Sequence, residues 1–266
     1  MSQKSPGGVQ SVQRALDLLE QIATRPEGAR LSDLATDAGL AVSTTHRLLT
    51  TLQQRGFAQA DAASGRWHVG QRAFAVGSAY TKQRSFVAPA LPFLRRLRDA
   101  TRETANLGII EDGEVVTLSQ VESREITRAI SPPGGRVPVL CSGMGKAILA
   151  TWEDGDIDQV IDRHGLRAMT AHSLTSPKAV HDEIARCRAR GFALDDEEFV
   201  MGLRCVAAVV WGPTGEAACA ISVSGLAARM TPQKVAETGR IVQNLASELT
   251  LVLGGKPKPP SEALLT

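Results

Sequence analysis

The stretch at residues 31–54, LSDLATDAGLAVSTTHRLLTTLQQ, limits the possible folds more than any other part of the chain. Leu31, Leu34 and Ala35 make one face of a short helix. Gly39 then stands where a helix C-terminus needs a left-handed backbone, which a residue without Cβ adopts cheaply. Leu40 follows as an apolar plug, and a second helix is predicted from about Val42. Its period turns Thr45, Leu48, Leu49 and Leu52 inward and Ser43, Thr44, His46 and Arg47 outward. Ala35 supplies the small residue that two steeply crossing helices need at their contact. This is the helix-turn-helix pattern, although an αα-hairpin in an ordinary helical core would read the same way.

The flanks decide between the two. Upstream, residues 11–24 repeat apolar side chains at Val12, Ala15, Leu16, Leu19 and Ile22, a helix with one inward stripe. Downstream, residues 56–60 read as a strand and 61–65 as a turn. Residues 66–69 read as a returning strand with Trp67 and Val69 on one face. Three helices and a hairpin make a winged helix-turn-helix, and a generic bundle has no use for the wing. Arg47, near the start of the second helix, is placed to pair with guanine O6 and N7 in the major groove. His46, Ser43 and Thr44 come next, the hydroxyls on phosphates. For His46, local packing at the surface is an equal reading. Arg66 on the wing is expected to meet the backbone or the minor groove.

At 266 residues, 43% hydrophobic and 22% charged, the chain suits two soluble domains. Its apolar runs fall short of membrane length, and the N-terminus lacks a signal-peptide core. Cys141, Cys187, Cys205 and Cys219 form no CxxC pair, which suits reduced thiols in the cytoplasm and implies neither disulfide nor zinc. The net charge of +2 is uneven: residues 1–88 hold ten Lys and Arg against six Asp and Glu, the remainder twenty against twenty-two. A mildly basic N-terminal part favours DNA as its partner and a nucleoid location.

Residues 71–84 read as a connecting helix with Ala73, Phe74, Val76, Gly77 and Tyr80 along an apolar stripe, available to a second subunit. Residues 86–102 continue as an amphipathic helix. Beyond it, strands are predicted at 105–110, 114–121, 128–130, 204–211 and 217–224. Helices are predicted at 143–152, 157–164, 177–190 and 232–253, with a disordered Lys/Pro tail. An antiparallel sheet with helices on its faces is an α+β ligand-binding type of domain.

Two places in this half put polar groups into apolar surroundings. Strand alternation sets Ala220, Ser222 and Ser224 on one face, and paired inner serines need partners: a ligand, neighbouring backbone or water. Ser142 is placed to cap a helix opening on the N–H groups of Gly143, Met144 and Gly145, which suits a small anion. The stretch is not a phosphate loop, since Leu140 and Ala147 stand where Gly and Ser or Thr belong, and Ser142 to Lys146 misses SxxK spacing. Cys205 reads as a buried inert thiol. The acidic run 195–198 reads alone as solvated, without calcium-loop spacing. No catalytic, metal or cofactor constellation emerges.

The motifs STTHRLLTTLQQ (43–54), CSGMGKAILA (141–150), LTSP (174–177), GFALDDEEFVMGLRC (191–205) and AISVSG (220–225) resemble the IclR-type bacterial transcription regulators, over nearly the whole chain. The likeness is closest to the acetate-operon repressor branch, which answers to small 2-oxoacids, glyoxylate first and pyruvate next. The resemblance implies a winged helix-turn-helix at 9–70, a linker helix at 71–88, a GAF-like effector-binding α+β domain at 89–254 and a tail at 255–266. It implies a regulator, not an enzyme, working on double-stranded DNA as a homodimer or dimer of dimers.

Matched position by position, the resemblance puts the backbone donors on Gly143 and Met144. It puts side-chain contacts on Asp195, Cys205, Ser222 and Ser224, and an apolar wall on Leu203. Met144 replaces a smaller residue, which bears on pocket volume. An ionised Asp195 would repel a carboxylate but would accept a hydrogen bond from the hydrate of an aldehyde. The competing readings are an enzyme acting on the same oxoacid and a DNA-bound scaffold with a vestigial pocket.

Overall fold

A computed structural model describes residues 8–83, 86–123 and 132–257 and divides the chain into two compact units, Met1–Gln83 and Arg84–Thr266. The first unit runs α1 (Gln10–Ala23), β1 (Ala29–Arg30), α2 (Leu31–Asp37), α3 (Val42–Gln54), β2 (Ala58–Ala60), β3 (Arg66–Val69) and α4 (Gln71–Gln83). Gly39 takes φ +62° between α2 and α3, and the Leu40 N–H returns to the Ala35 carbonyl at 2.9 Å. Ala35, Thr45 and Leu49 are buried at the crossing. The core is Leu18, Ile22, Ala29, Leu34, Leu49, Ala58 and Trp67.

The sheet order β1-β3-β2 reveals a strand the sequence did not suggest. Two residues long, β1 has no period to detect. Its role is steric: Ala29 on β1 and Ala60 on β2 both pair with Trp67, two small residues either side of the indole. The wing closes where Gly70 passes so near the end of α3 that a Cβ would lie 2.3 Å from the Gly56 carbonyl oxygen.

The α1 stripe differs from expectation. Leu18 and Ile22 are buried, whereas Val12 and Leu16 stand 54% and 52% exposed. The apolar residues of this helix form one arc, and the helix-turn-helix core takes only the edge of it that carries Leu18 and Ile22. Val69, expected beside Trp67, is likewise exposed at the strand end, as are Phe74 and Val76 on α4.

The second unit runs α5 (Val87–Thr101), β4 (Thr104–Glu111), β5 (Glu114–Val121), β6 (Arg136–Pro138), a 3₁₀ turn (Val139–Cys141), α6 (Gly143–Leu149), α7 (Asp154–His164), α8 (Pro177–Arg190), β7 (Ala193–Asp196), β8 (Leu203–Trp211), β9 (Ala217–Leu226) and α9 (Pro232–Val252). Its sheet is antiparallel throughout in the order β6-β5-β4-β9-β8-β7. The edge strands β6 and β7 were not expected, being short and carrying Pro138 and two aspartates. The strand expected at 128–130 and the tail beyond Pro257 lie outside the described residues. Gly255, assigned to that tail, is buried, with its N–H on the Thr250 carbonyl. Among the described residues no helix is long and apolar enough to cross a membrane.

Period-2 alternation gives the sheet two faces. Ala105, Leu107, Val206, Ala208, Ile221 and Val223 point to the side where α5 and α9 pack. Ala193, Ala207 and Ala220 point to the side of α6, in a cluster with Met144, Ala147, Ile148, Leu149 and Ile184. The seven-residue α6 sits tightly because two of the residues in its opening turn are glycines. A Cβ on Gly143 would stand 3.0 Å from the Cys205 carbonyl oxygen, and one on Gly145 only 2.1 Å from that of Val139.

The Gly145→Ala variant is therefore expected to lose about 1–3 kcal/mol of stability in denaturant unfolding, the usual range for overpacking against backbone. Gly155→Ala, in α7 with open space around its Cβ position, is expected to be neutral or to gain about 0.5–1 kcal/mol.

Candidate functional site

The sheet face under α6 changes character along its strands. At one end it is alanine. At the other, Asp195 lies opposite Cys205, Cys205 opposite Ser224, and Asn106 opposite Ser222. Asp195, Cys205, Asn106 and Ser222 are buried, and Ser224 is half-buried. Buried polar groups need partners, and here they largely supply one another. The Asn106 amide donates to Ser222 Oγ at 3.3 Å and to Ser224 Oγ at 3.1 Å, while Gln120 Nε2 donates to Asn106 Oδ1 at 2.7 Å. With the asparagine occupying an acceptor site on each serine oxygen, both hydroxyl protons are left to point elsewhere. The Cys205 sulfur is one acceptor within their reach. Asn106 and Gln120 escaped the sequence reading. A lone amide inside the central strand TANLGIIE was the available signal.

The opening of α6 lies over this row. Ser142 is its N-cap, and Ser142 Oγ accepts from the Gly145 N–H at 3.3 Å. That corrects one expectation: the cap takes Gly145, so the donors left for a ligand are the amides of Gly143 and Met144. The Met144 side chain leaves the polar row and lies over Gly108, where a Cβ would meet its Cε at 2.9 Å and Val115 at 3.1 Å. Gly108 thus accommodates the larger residue within the apolar cluster. Leu203 is buried at the start of β8.

The acidic run 195–198 is not solvated, contrary to the reading from its composition. The strand turns Asp195 inward and Asp196 outward to Arg204 at 2.6 Å. Glu197, at φ +63°, accepts the Gly202 N–H at 2.8 Å, and the chain then brings Glu198 back inside. There Glu198 Oε1 holds Lys146, which is 0% exposed, while Glu198 Oε2 is buried and, among the described residues, has no hydrogen-bond partner. Asp195 Oδ1 accepts the Glu198 N–H at 2.8 Å.

Burial pushes the Asp195 carboxyl up to about 7; Lys146 pulls it down, and Glu198 adds to the rise. Burial also pushes the Cys205 thiol up to about 11, with Asp195 adding to it, so this sulfur stays protonated and a poor nucleophile. Cys141 is raised too, by burial and by the charge of Glu198.

A concavity of about 1060 Å³ opens elsewhere in this unit, among Trp152, Arg188, Phe192, Val209, Trp211 and Gln243. It shares none of the polar residues of the row. A space that large suits a two- or three-carbon acid poorly.

In the first unit α3 presents Ser43, His46 and Arg47 exposed and Thr44 half-buried. Its N-cap, Ala41, makes no side-chain cap bond, so the first-turn amides remain open to water or a phosphate. His46 stands edge-on to Trp67, ring centroids 6.5 Å apart, which ties it to the wing. Arg66 is not a free cation: its Nη1 donates to the Gly28 carbonyl at 3.0 Å, fastening the wing to the turn after α1. Arg47 is the exposed guanidinium of the α3 set.

Residues 11–62 match the IclR helix-turn-helix domain, and residues 78–251 match the bacterial transcriptional regulator IclR C-terminal domain. The chain is 41% identical over 251 residues to the acetate operon repressor of Salmonella typhimurium, covering 94% of this chain and 92% of that protein. It is equally identical, with the same coverage, to the transcriptional repressor IclR of Escherichia coli. The crystal structure of the Thermotoga maritima IclR superposes with a TM-score of 0.78 over 92% of this chain and 98% of that one, at 24% identity, which shows the shared fold.

Asp195 yields a stability test. Its pKa is raised from 3.8 to about 7 on folding, so the folded state keeps its proton to higher pH than the unfolded chain does. The corresponding stability is complete below about pH 4 and is lost as pH rises through about 7. Asp195→Asn, which carries no charge to bury, is expected to exceed the parent protein at pH 8 by up to about 4 kcal/mol. At pH 5 the advantage should shrink by more than half, read from denaturant midpoints.

Proposed function

The chain belongs to the IclR family of bacterial transcriptional regulators, and from that membership we propose that it is a repressor whose grip on operator DNA is set by a small 2-oxoacid, glyoxylate before pyruvate. The observation that carries the effector reading is the buried row of Asn106, Ser222 and Ser224. Its amide is already spent on the serine oxygens, which leaves both hydroxyl protons free to serve an acceptor other than the asparagine. The ligand carboxylate receives the amides of Gly143 and Met144 and the two serine hydroxyls. Leu203 and Cys205 close the wall, and Asp195 lies at the polar end. The names of the acetate operon repressor and its relatives support repression and a metabolite of two-carbon metabolism.

A ligand of about five heavy atoms gains at most about 7–8 kcal/mol, so its affinity is micromolar or weaker. On the DNA side, Arg47 reads bases, Ser43, Thr44 and the first-turn amides of α3 hold phosphates, and His46 stands between groove and wing. Arg66 acts chiefly by positioning the wing. The exposed row of Val9, Val12 and Leu16, with Phe74 and Val76, is covered by a second subunit, giving a dimer or dimer of dimers. Two such readers meet successive major grooves about 34 Å apart. Effector acts by favouring an arrangement with other spacing, through α4 and the residues that follow it.

A gel-shift assay on the gene's own upstream region, with glyoxylate, pyruvate or neither, tests the reading. A shift in operator affinity with glyoxylate supports it; indifference to both acids leaves a DNA-bound scaffold, and loss of the acid on incubation an enzyme. In the same assay Arg47→Ala is expected to cost about 1–3 kcal/mol and relax the preference for operator over random DNA. Arg66→Ala should weaken both fragments alike. Ser222→Ala/Ser224→Ala should abolish the glyoxylate response while leaving operator binding intact.

A further inference from the structure

Resting on that reading of the pocket, we propose that Asp195 enters the complex as a neutral carboxylic acid and donates its proton to the effector carboxylate, so that each effector is bound together with one proton. The argument begins with the charges. Lys146 is the cation buried beside this row, and Glu198 already holds it. The second oxygen of Glu198 is buried and has no hydrogen-bond partner among the described residues, so negative charge there is already short of donors. An ionised Asp195 would add a second carboxylate against one ammonium, and a bound carboxylate a third. A proton on Asp195 removes one of those charges and turns a repelling acceptor into a donor.

Besides Lys146, the groups that favour an ionised Asp195 are the backbone N–H groups of Glu198 and Phe199, and together they do not outweigh its burial. Directly opposite on β8 is Cys205, a protonated thiol, and beyond it on β9 are Ser224 and Ser222, neutral hydroxyls. Arg204, the neighbour on β8, alternates to the other face and is bound to Asp196. From α6 comes Lys146, and from the 3₁₀ turn the Cys141 thiol. Across the sheet edge, Glu183 of α8 adds negative charge that Arg186 and Arg190 hold. From the loop before α8, Ser173 spends its hydroxyl on the Glu198 carbonyl at 2.7 Å. The carboxyl itself titrates near 7, so its proton is available at the pH of a cell interior. The same arrangement sets specificity: a neutral acid beside two serine hydroxyls selects an anionic oxygen, and disfavours an uncharged aldehyde or amide of the same size.

Titration calorimetry of the full chain with glyoxylate, in two buffers of different ionisation enthalpy, counts the protons taken up. Uptake of about one proton per effector is expected at pH 8.5 and close to none at pH 6, with affinity falling about tenfold per pH unit above 7. Asp195→Asn should show no proton uptake, and its glyoxylate affinity should be flat with pH. Glu198→Gln should keep the uptake. Affinity of the parent protein constant from pH 6 to 8.5 overturns the proposal. So does uptake that survives in Asp195→Asn but disappears in Glu198→Gln. If Asp195→Asn stays folded by its melting curve yet loses glyoxylate at every pH, Asp195 is an ionised acceptor for a hydrated aldehyde, and the proposal fails. Absence of glyoxylate binding by the parent protein at any pH overturns the effector reading itself and this proposal with it.

Discussion

The second unit depends on the approach of α6 to the sheet. A helix can lie against backbone this closely only where the facing residue lacks a side chain; Gly143 provides that against β8, and Gly145 does the same against the 3₁₀ turn that precedes the helix. The approach has two consequences. Under the body of the helix it packs Met144, Ala147 and Ile148 against Ala193, Ala207 and Ala220, an apolar contact that holds the element in place. Under its opening turn it shuts a row of hydroxyl, amide, thiol and carboxyl groups away from water. Shutting polar groups away is costly unless they are satisfied, and Asn106 largely satisfies them by bridging the two serines across β4 and β9. The rigid helix therefore both stabilises the domain and defines a small polar site.

How much of this was legible varied with the kind of signal. The helix-turn-helix was readable because its determinants are local: a glycine at positive φ, a small residue four positions before it, and a 3.6-residue period on either side. The wing followed from a five-residue turn between two short strands. Strand alternation correctly put Ser222 and Ser224 on one face, since alternation survives whatever the strand packs against. Asn106 lies more than a hundred positions from its serine partners, and its only local mark is that it is an amide inside a largely apolar strand. The run 195–198 misled because composition averages over residues that a strand and a left-handed turn separate, two inward and two outward. The α1 stripe misled for a related reason. An apolar arc wider than the contact it makes does not say which of its edges goes inward until the neighbours are placed, and Val12 and Leu16 were left outside.

Arg66 shows a different limit. From sequence, a cation on a wing is a candidate for the DNA backbone, and its side chain is long enough to reach it. In the fold the same length lets it reach the Gly28 carbonyl 38 positions away, where it stitches β3 to the turn that precedes β1. Gly28 sits at φ +74° under His68, so the wing and the α1–α2 turn are fixed together by a guanidinium and by the lack of a side chain. An arginine used in this way holds the shape of the reading surface. Arg47, exposed on α3, has no such anchor among the described residues, and on the proposed reading that difference rather than charge alone separates a reader from a brace.

The proposed effector is small, and this constrains how the two units can be coupled. A ligand that gains only a few kcal/mol shifts an equilibrium between conformations by no more than the difference in its affinity for them. Most of that modest sum must therefore be differential. A cavity that were comfortable when empty would waste it, because the ligand would merely replace water. A buried carboxylate oxygen without a partner among the described residues, a raised acid and hydroxyl protons without a strong acceptor make the row costly when it is empty. On the proposed reading, an anion and a proton remove that cost in the arrangement that encloses the row, and the polar groups that burden the stability of the domain become the source of its leverage over DNA.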